Sequence, residues 1–182
     1  MSGYMRIIGI DPGTIVTGFG VVDYNGNELK YIASGIINIP PKDEMANRLE
    51  LIYDSIDEKI KLYKPTEFSI ETAFFNKNVQ SALKIGYARG VSLLAAVHNK
   101  LNVKEYSPRE IKKSVTGKGA ATKEQVQFMV AKILSLKIDK IKFDETDALA
   151  VAICYSFKSL SGIVKSKSWK DFIKANPERV IL

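Results

Sequence analysis

Cysteine and histidine are almost absent from this sequence, with one of each in 182 residues. A single Cys154 excludes an internal disulfide and suits a reducing compartment. It stands in a nearly all-apolar stretch, which predicts a small buried hydrophobe rather than a nucleophile. His98 falls in a helical stretch, where a structural role is expected. No apolar run approaches the roughly 18 residues of a membrane helix. The start, Met1-Ser2-Gly3-Tyr4-Met5-Arg6, lacks the apolar core of a secretory signal. Internal repeats and low-complexity segments are missing as well. These absences predict a soluble, cytoplasmic protein: one domain over residues 1–158 with a full core, then a basic tail over 159–182 that holds Trp169.

Positive charge, by contrast, is in excess and unevenly placed. Of a net +7, ten lysines and arginines stand against four acids between Lys104 and Lys142, and five against two from Ser159 onward. A basic second half suits a polyanionic partner, although solvated helix faces would give the same count.

The apolar pattern predicts a mixed α/β sheet with helices on its faces. Residues 6–11 read as a central strand buried on both sides. Residues 17–24 and 28–38 flank Asn25-Gly26, the signal of a tight hairpin turn. Met45, Leu49, Ile52, Ile56 and Ile60 recur at helical spacing over 43–62, until Lys64-Pro65 stops the helix. A short strand follows at 67–71, a helix at 78–98 and a strand at 102–106. Ser107-Pro108-Arg109-Glu110 has the makings of a capping box, with the helix ending near Gly117. Thr122-Lys123-Glu124-Gln125 repeats that logic over a stripe of Val126, Met129, Val130 and Ile133. The last core helix is expected to start at Asp144.

Four acids stand at the edges of these buried elements: Asp11 after Ile7-Ile8-Gly9-Ile10, Glu71 after Phe68-Ser69-Ile70, and Asp144 and Asp147 before an apolar helix. Carboxylates are rarely buried unless paired or metal-bound. Each has a plain structural reading. Asp11-Pro12-Gly13-Thr14 serves equally as an ordinary turn or a phosphate-binding turn, Asp144 and Asp147 can cap a helix and complement its dipole, and Glu71 can end a strand in an ion pair. If the four converge, their repulsion calls for cations, and divalent metal and phosphodiester chemistry follow.

Taken in order, Ile-Gly-Ile-Asp-Pro-Gly-Thr, Ser-Ile-Glu-Thr and Asp-Glu-Thr-Asp-Ala-Leu-Ala resemble the RuvC family of Holliday junction resolvases. Asn78-Val79-Gln80-Ser81-Ala82-Leu83-Lys84 and Ala120-Ala121-Thr122-Lys123-Glu124-Gln125-Val126-Gln127 add to the resemblance, which runs from about Arg6 to Phe157. It implies an RNase H-like mixed sheet, three antiparallel strands then parallel ones, with helices on both faces. It also implies a homodimer that cuts four-way DNA junctions during recombination and repair, and a branch-migration helicase as the partner typical of the family. The family's catalytic, metal-binding acids carry over to Asp11, Glu71, Asp144 and Asp147, with Asp at 144 where some members have His. Hydrolysis of a phosphodiester needs an activated water, charge stabilisation and help for the leaving oxygen, which two Mg²⁺ about 4 Å apart can supply; Mn²⁺ is an expected substitute. Asp11, from the central strand, is the candidate bridging ligand, Glu71 and Asp147 would hold one metal each, and Asp144 would hold a metal or orient the attacking water.

The resemblance also places Lys112 and Lys123 near the scissile phosphate. Lys123 opens a helix, where a cation opposes the dipole, so a functional reason is expected. Lys112 by itself reads as a solvated lysine. Lys113 and Lys118 are expected on the DNA backbone, with Gly117 and Gly119 allowing the loop a close approach. Phe74, beside Phe75, reads as a core or capping aromatic; the family's junction-inserted aromatic maps to it, and stacking on a base is worth roughly 1–3 kcal/mol. Ala82, Gly86 and Gly90 share a helix face at four-residue spacing. Each interior Gly costs about 1 kcal/mol against Ala, so a close helix approach is expected, inside the core or across a dimer axis.

Other classes fit less of the chain. An actin-like phosphotransferase could use Asp11-Pro12-Gly13-Thr14 but needs a second phosphate turn and a second domain. A non-catalytic junction binder has no use for converging carboxylates. An RNase H-like nuclease for RNA–DNA hybrids or flaps shares the acids and differs in substrate.

Overall fold

The structure is a computed structural model, and it describes residues 4–72 and 79–161. Strands β1 (Met5–Asp11), β2 (Val16–Tyr24) and β3 (Leu29–Asn38) form the expected meander. Helix α1 (Met45–Tyr63), strand β4 (Glu67–Glu71), helix α2 (Val79–His98) and strand β5 (Asn102–Tyr106) follow, then α3 (Pro108–Thr116), α4 (Lys123–Ile133) and α5 (Phe143–Ser161). The sheet order is β3-β2-β1-β4-β5, antiparallel across the meander and parallel from β1 through β4 to β5. The mixed sheet read from the sequence is therefore present.

β1 is buried on both faces because helices cover both. Ile7 joins α3, α4 and α5 in one core, while Ile8 and Ile10 join α1 and α2 in the other. α5 lies directly on the strands: a methyl group at Gly9 would overlap the Ala148 carbonyl, and one at Gly18 would overlap the carbonyl of Asp144. Bare backbone at those two positions is what lets the start of α5 sit against the end of β1, since Gly18 pairs with Asp11. Among the described residues no helix is long and apolar enough to cross a membrane.

The structure departs from expectation in places. The hairpin at Asn25-Gly26 is present, but its connection is a four-residue loop, one residue longer than the strand bounds 17–24 and 28–38 leave. The Asn25 side chain accepts from the amides of Asn27 (3.0 Å) and Glu28 (2.8 Å), and Gly26 takes φ 98°; a side chain that closes its own turn competes with the shorter one. α1 buries Ile52, Ile56 and Ile60 as its stripe predicts, but also Arg48. α5 starts at Phe143, so Asp144 lies inside the first turn rather than capping it, and the Thr146 hydroxyl and amide both donate to the Lys142 carbonyl (2.9 and 3.0 Å). At its other end α5 runs to Ser161, past the boundary expected at 158. Phe74 and the tail from 162 lie outside the described residues.

Candidate active site

The site forms where parallel strands end and helices begin. β1 and β4 pair with Ile10 opposite Ile70, so Asp11 and Glu71 leave the sheet side by side. From the other side come the first turns of three helices. α3 is capped by Ser107 and α4 by Thr122, each in a reciprocal box with Glu110 or Gln125. Those caps fix where Lys112 and Lys123 enter. α5 brings Asp147 to the same place, seated through Gly18. The result is a cleft of about 280 Å³ lined by Asp11, Glu71, Pro108, Ile111, Lys112, Lys123, Val126 and Asp147.

Electrostatics shows how tightly the acids are crowded. Burial pushes the Asp11 carboxyl up to about 8, with repulsion from Glu71, Asp147 and Asp144 adding to it. Burial and then Asp147 raise Glu71 to about 7, opposed by Lys123 and Lys112. Asp147 is raised by burial too, against the pull of Lys123, whose ammonium donates to it at 3.3 Å. Lys123 rises in turn, chiefly through Asp147. This pair explains a lysine at the wrong end of a helix dipole: its partner is a carboxylate on the neighbouring helix.

Asp11, Glu71, Asp147, Lys112 and Lys123 are thus brought together, as read from the sequence. Asp144 acts on Asp11 and Asp147 by its charge but does not line the cleft. Lys113 lines a separate hollow with Ser107, Arg109, Glu110, Gly117 and Gly119, and Lys118 is exposed beside it. Two contributors escaped the sequence reading. Gly18 is one; its signal was the alternating Gly18-Phe19-Gly20 of a strand that must accept a helix. The other is Glu145, whose carboxylate accepts from Ser34 of β3 at 2.8 Å and ties the same helix turn to the sheet.

The donor set is all carboxylate oxygen, which suits a hard divalent cation. Among the described residues no three such groups form a ready-made cage. That is compatible with Mg²⁺, which keeps several waters and takes one or two carboxylates. Three half-buried carboxylates, all pushed up by burial and mutual repulsion, fit a divalent ion far better than an empty solvent pocket.

Fold and cleft together define a nuclease of the RNase H-like class: a mixed five-stranded sheet with acids at the ends of its central strands and lysines opposite. Comparison with known proteins carries this to a family. Residues 7–155 match the family model of crossover junction endodeoxyribonuclease RuvC, and the chain belongs to that family. It is 43% identical to the crossover junction endodeoxyribonuclease RuvC of Chloroherpeton thalassium over 97% of this chain and 100% of that one. It is 51% identical to the protein of the same name from Psychromonas ingrahamii, over 82% and 86% of the two chains. In three dimensions it superposes on Thermus thermophilus RuvC in complex with a Holliday junction substrate with a TM-score of 0.82, at 31% identity, covering 87% of this chain and 96% of that one. The yeast mitochondrial Holliday junction resolvase Ydc2 shares the fold at a TM-score of 0.60 and 11% identity.

Proposed function

We propose that this chain is a Holliday junction resolvase: a structure-selective endonuclease that cuts four-way DNA junctions by paired, metal-dependent hydrolysis. The carrying observation is the cleft, in which Asp11, Glu71 and Asp147 from three elements face Lys112 and Lys123, in a chain of the RuvC family.

Asp11, Glu71, Asp147 and Asp144 would hold Mg²⁺, with Mn²⁺ as a substitute. Bound there, the metal supplies an activated water and neutralises charge gathering on the phosphate. The chain's own residues supply position. Asp11, on the central strand, would be the shared metal-holding residue, Glu71 and Asp147 would each hold an ion beside it, and Asp144 would complete the set or orient the water. Lys123 exchanges Asp147 for the scissile phosphate when DNA enters, and Lys112 meets the same phosphate from α3. Lys113 and Lys118 touch the neighbouring backbone, and Phe74 stacks at the junction centre.

Cutting both strands calls for two sites, and α2 supports a dimer. Gly86 and Gly90 have nothing within 4 Å of the place a Cβ would occupy. Ala82, on the core side of the same row, is buried. Exposed Val79, Leu83, Tyr87, Leu94 and Val97 continue the open glycine stripe along the helix.

The test compares nicking of a synthetic four-way junction and a linear duplex, in Mg²⁺ or EDTA. Mg²⁺-dependent nicks paired across opposing strands of the junction alone are expected. Asp11→Asn should remove cleavage by about 1,000-fold, the scale of losing a group on which the transition state depends, while junction binding stays. Equal cutting of the linear duplex, or normal cutting by Asp11→Asn, would overturn the proposal.

A further inference from the structure

Arg48 is a buried cation, 8% exposed, and among the described residues no carboxylate lies within ion-pair distance of it. A buried charge without a counter-charge is costly, so its hydrogen bonds must have a use. Its Nε donates to the Thr14 carbonyl at 3.0 Å and its Nη2 donates to the same oxygen. Thr14 belongs to the turn that leaves Asp11.

That turn is held at successive carbonyls from β2, from α1 and from the residue just after β3. The Thr17 hydroxyl of β2 donates to the Gly13 carbonyl (2.7 Å) and accepts from the Gly13 amide (3.2 Å). Arg48 of α1 holds the Thr14 carbonyl, and the Ile39 amide donates to that of Ile15 (2.9 Å). Gly13 packs so closely that a methyl group there would overlap the Val16 carbonyl. Arg48 is the one side chain in this set that comes from another layer of the fold. The main electrostatic influences on Asp11 are Glu71, Asp147, Asp144 and Lys123; the guanidinium is not among them. Its action is on geometry.

We infer that Arg48 is a positioning residue for the catalytic centre: by clamping the Thr14 carbonyl it fixes the turn that sets the direction of the Asp11 carboxylate. The planar fork aims two donors at one oxygen, which a flexible ammonium cannot do. The inference rests on the reading of Asp11 as a metal ligand.

The test uses the full chain with Arg48→Met and Arg48→Lys, at a temperature where both are folded. Mn²⁺ binding is followed by electron paramagnetic resonance without DNA, amide exchange is read at Gly13, and single-turnover cleavage and junction affinity are measured beside them. Arg48→Met should weaken Mn²⁺ binding about 10-fold, the lower end for outer-shell changes, and speed Gly13 exchange, with junction affinity unchanged. Cleavage should fall in step with Mn²⁺ binding, and Arg48→Lys should recover part of both. A folded Arg48→Met with native Mn²⁺ affinity and cleavage overturns the inference, as does a lowered melting temperature with Mn²⁺ affinity intact. Asp11→Asn is run beside them. If it binds Mn²⁺ and cuts normally, the reading of the site fails; if only the Arg48 variants behave as wild type, the inference alone fails.

Discussion

α5 and α2 are helices of 19 and 20 residues with much the same diet of alanine and aliphatic side chains, yet they live in opposite surroundings. Every residue of α5 from 148 to 155 is buried. On α2 the buried positions are the small ones, Ala82, Ala88, Ser92, Ala95 and Ala96, while Val79 and Val97 stand 67% and 61% exposed. The glycines follow the same inversion. For α5 they sit in the sheet that receives it, at Gly9 and Gly18, with helix backbone against them; for α2 they sit in the helix, at Gly86 and Gly90, with open space beyond. Val91 and Leu93 of α2 still pack on the core, but Val79, Leu83, Tyr87, Leu94 and Val97 stand outside with the glycines, and that open face is what the proposed dimer would use. One helix builds the site, and the proposal gives the other the task of pairing two copies of it.

The comparison breaks hardest at Gly18. Alanine there drives a methyl into the Asp144 carbonyl, and backbone cannot yield as a side-chain tip does. Overpacking of this kind costs about 1–3 kcal/mol, measurable as a fall in denaturation midpoint. Cleavage should fall further than the lost folded fraction explains, because the turn carrying Asp144 and Asp147 moves with respect to Asp11. A Gly18→Ala protein with native stability and rate would show that α5 is not seated through that glycine.

Gly86→Leu sharpens the other half. In the single chain a Cβ at Gly86 meets nothing within 4 Å, and replacing an interior Gly favours the helix by roughly 0.5–1 kcal/mol. The fold should hold or gain slightly. The proposed dimer should dissociate, seen by sedimentation, and incisions should become single rather than paired. An unchanged dimer would move the interface off this face.

The elements that position the site were legible because their signals are local. The ends of β1 and β4 at Asp11 and Glu71 and both capping boxes lie within a few residues of the chain. The misplaced lysine at 123 was legible as a conflict, and its partner Asp147 answers it. Arg48 was not. It shares the buried face of α1 with Ile52 and Ile56, but only the Thr14 carbonyl, distant in sequence, justifies a cation there. Gly18 was missed for the same reason, since what it accommodates lies on α5. The start of α5 was misplaced by one residue because an aspartate ahead of an apolar run looks like a cap, whereas here the helix already begins at Phe143 and Asp144 lies inside its first turn.

The smallest expected effect separates the two helices by pH. In metal-free protein Asp11 titrates near 8 and Glu71 near 7, against ordinary values of 3.8 and 4.5. Between those limits the folded chain holds protons that the unfolded chain has released, so stability falls as pH rises. The Lys123–Asp147 pair does not reverse this, because Lys123 is raised from 10.5 and stays charged across the window; Glu110, lowered to about 2, matters only in acid. The melting temperature in EDTA should therefore decline from about pH 4 to about pH 8 and level off above that, over the span set by these shifts. Mg²⁺ should restore it most at the alkaline end, where the ion has fewest protons to displace. Asp11→Asn should flatten the decline, since the amide does not ionise, whereas Gly86→Leu should leave its slope alone because α2 faces no such carboxylates. A melting temperature that rises with pH in EDTA would mean that the acids are not crowded as the cleft has them.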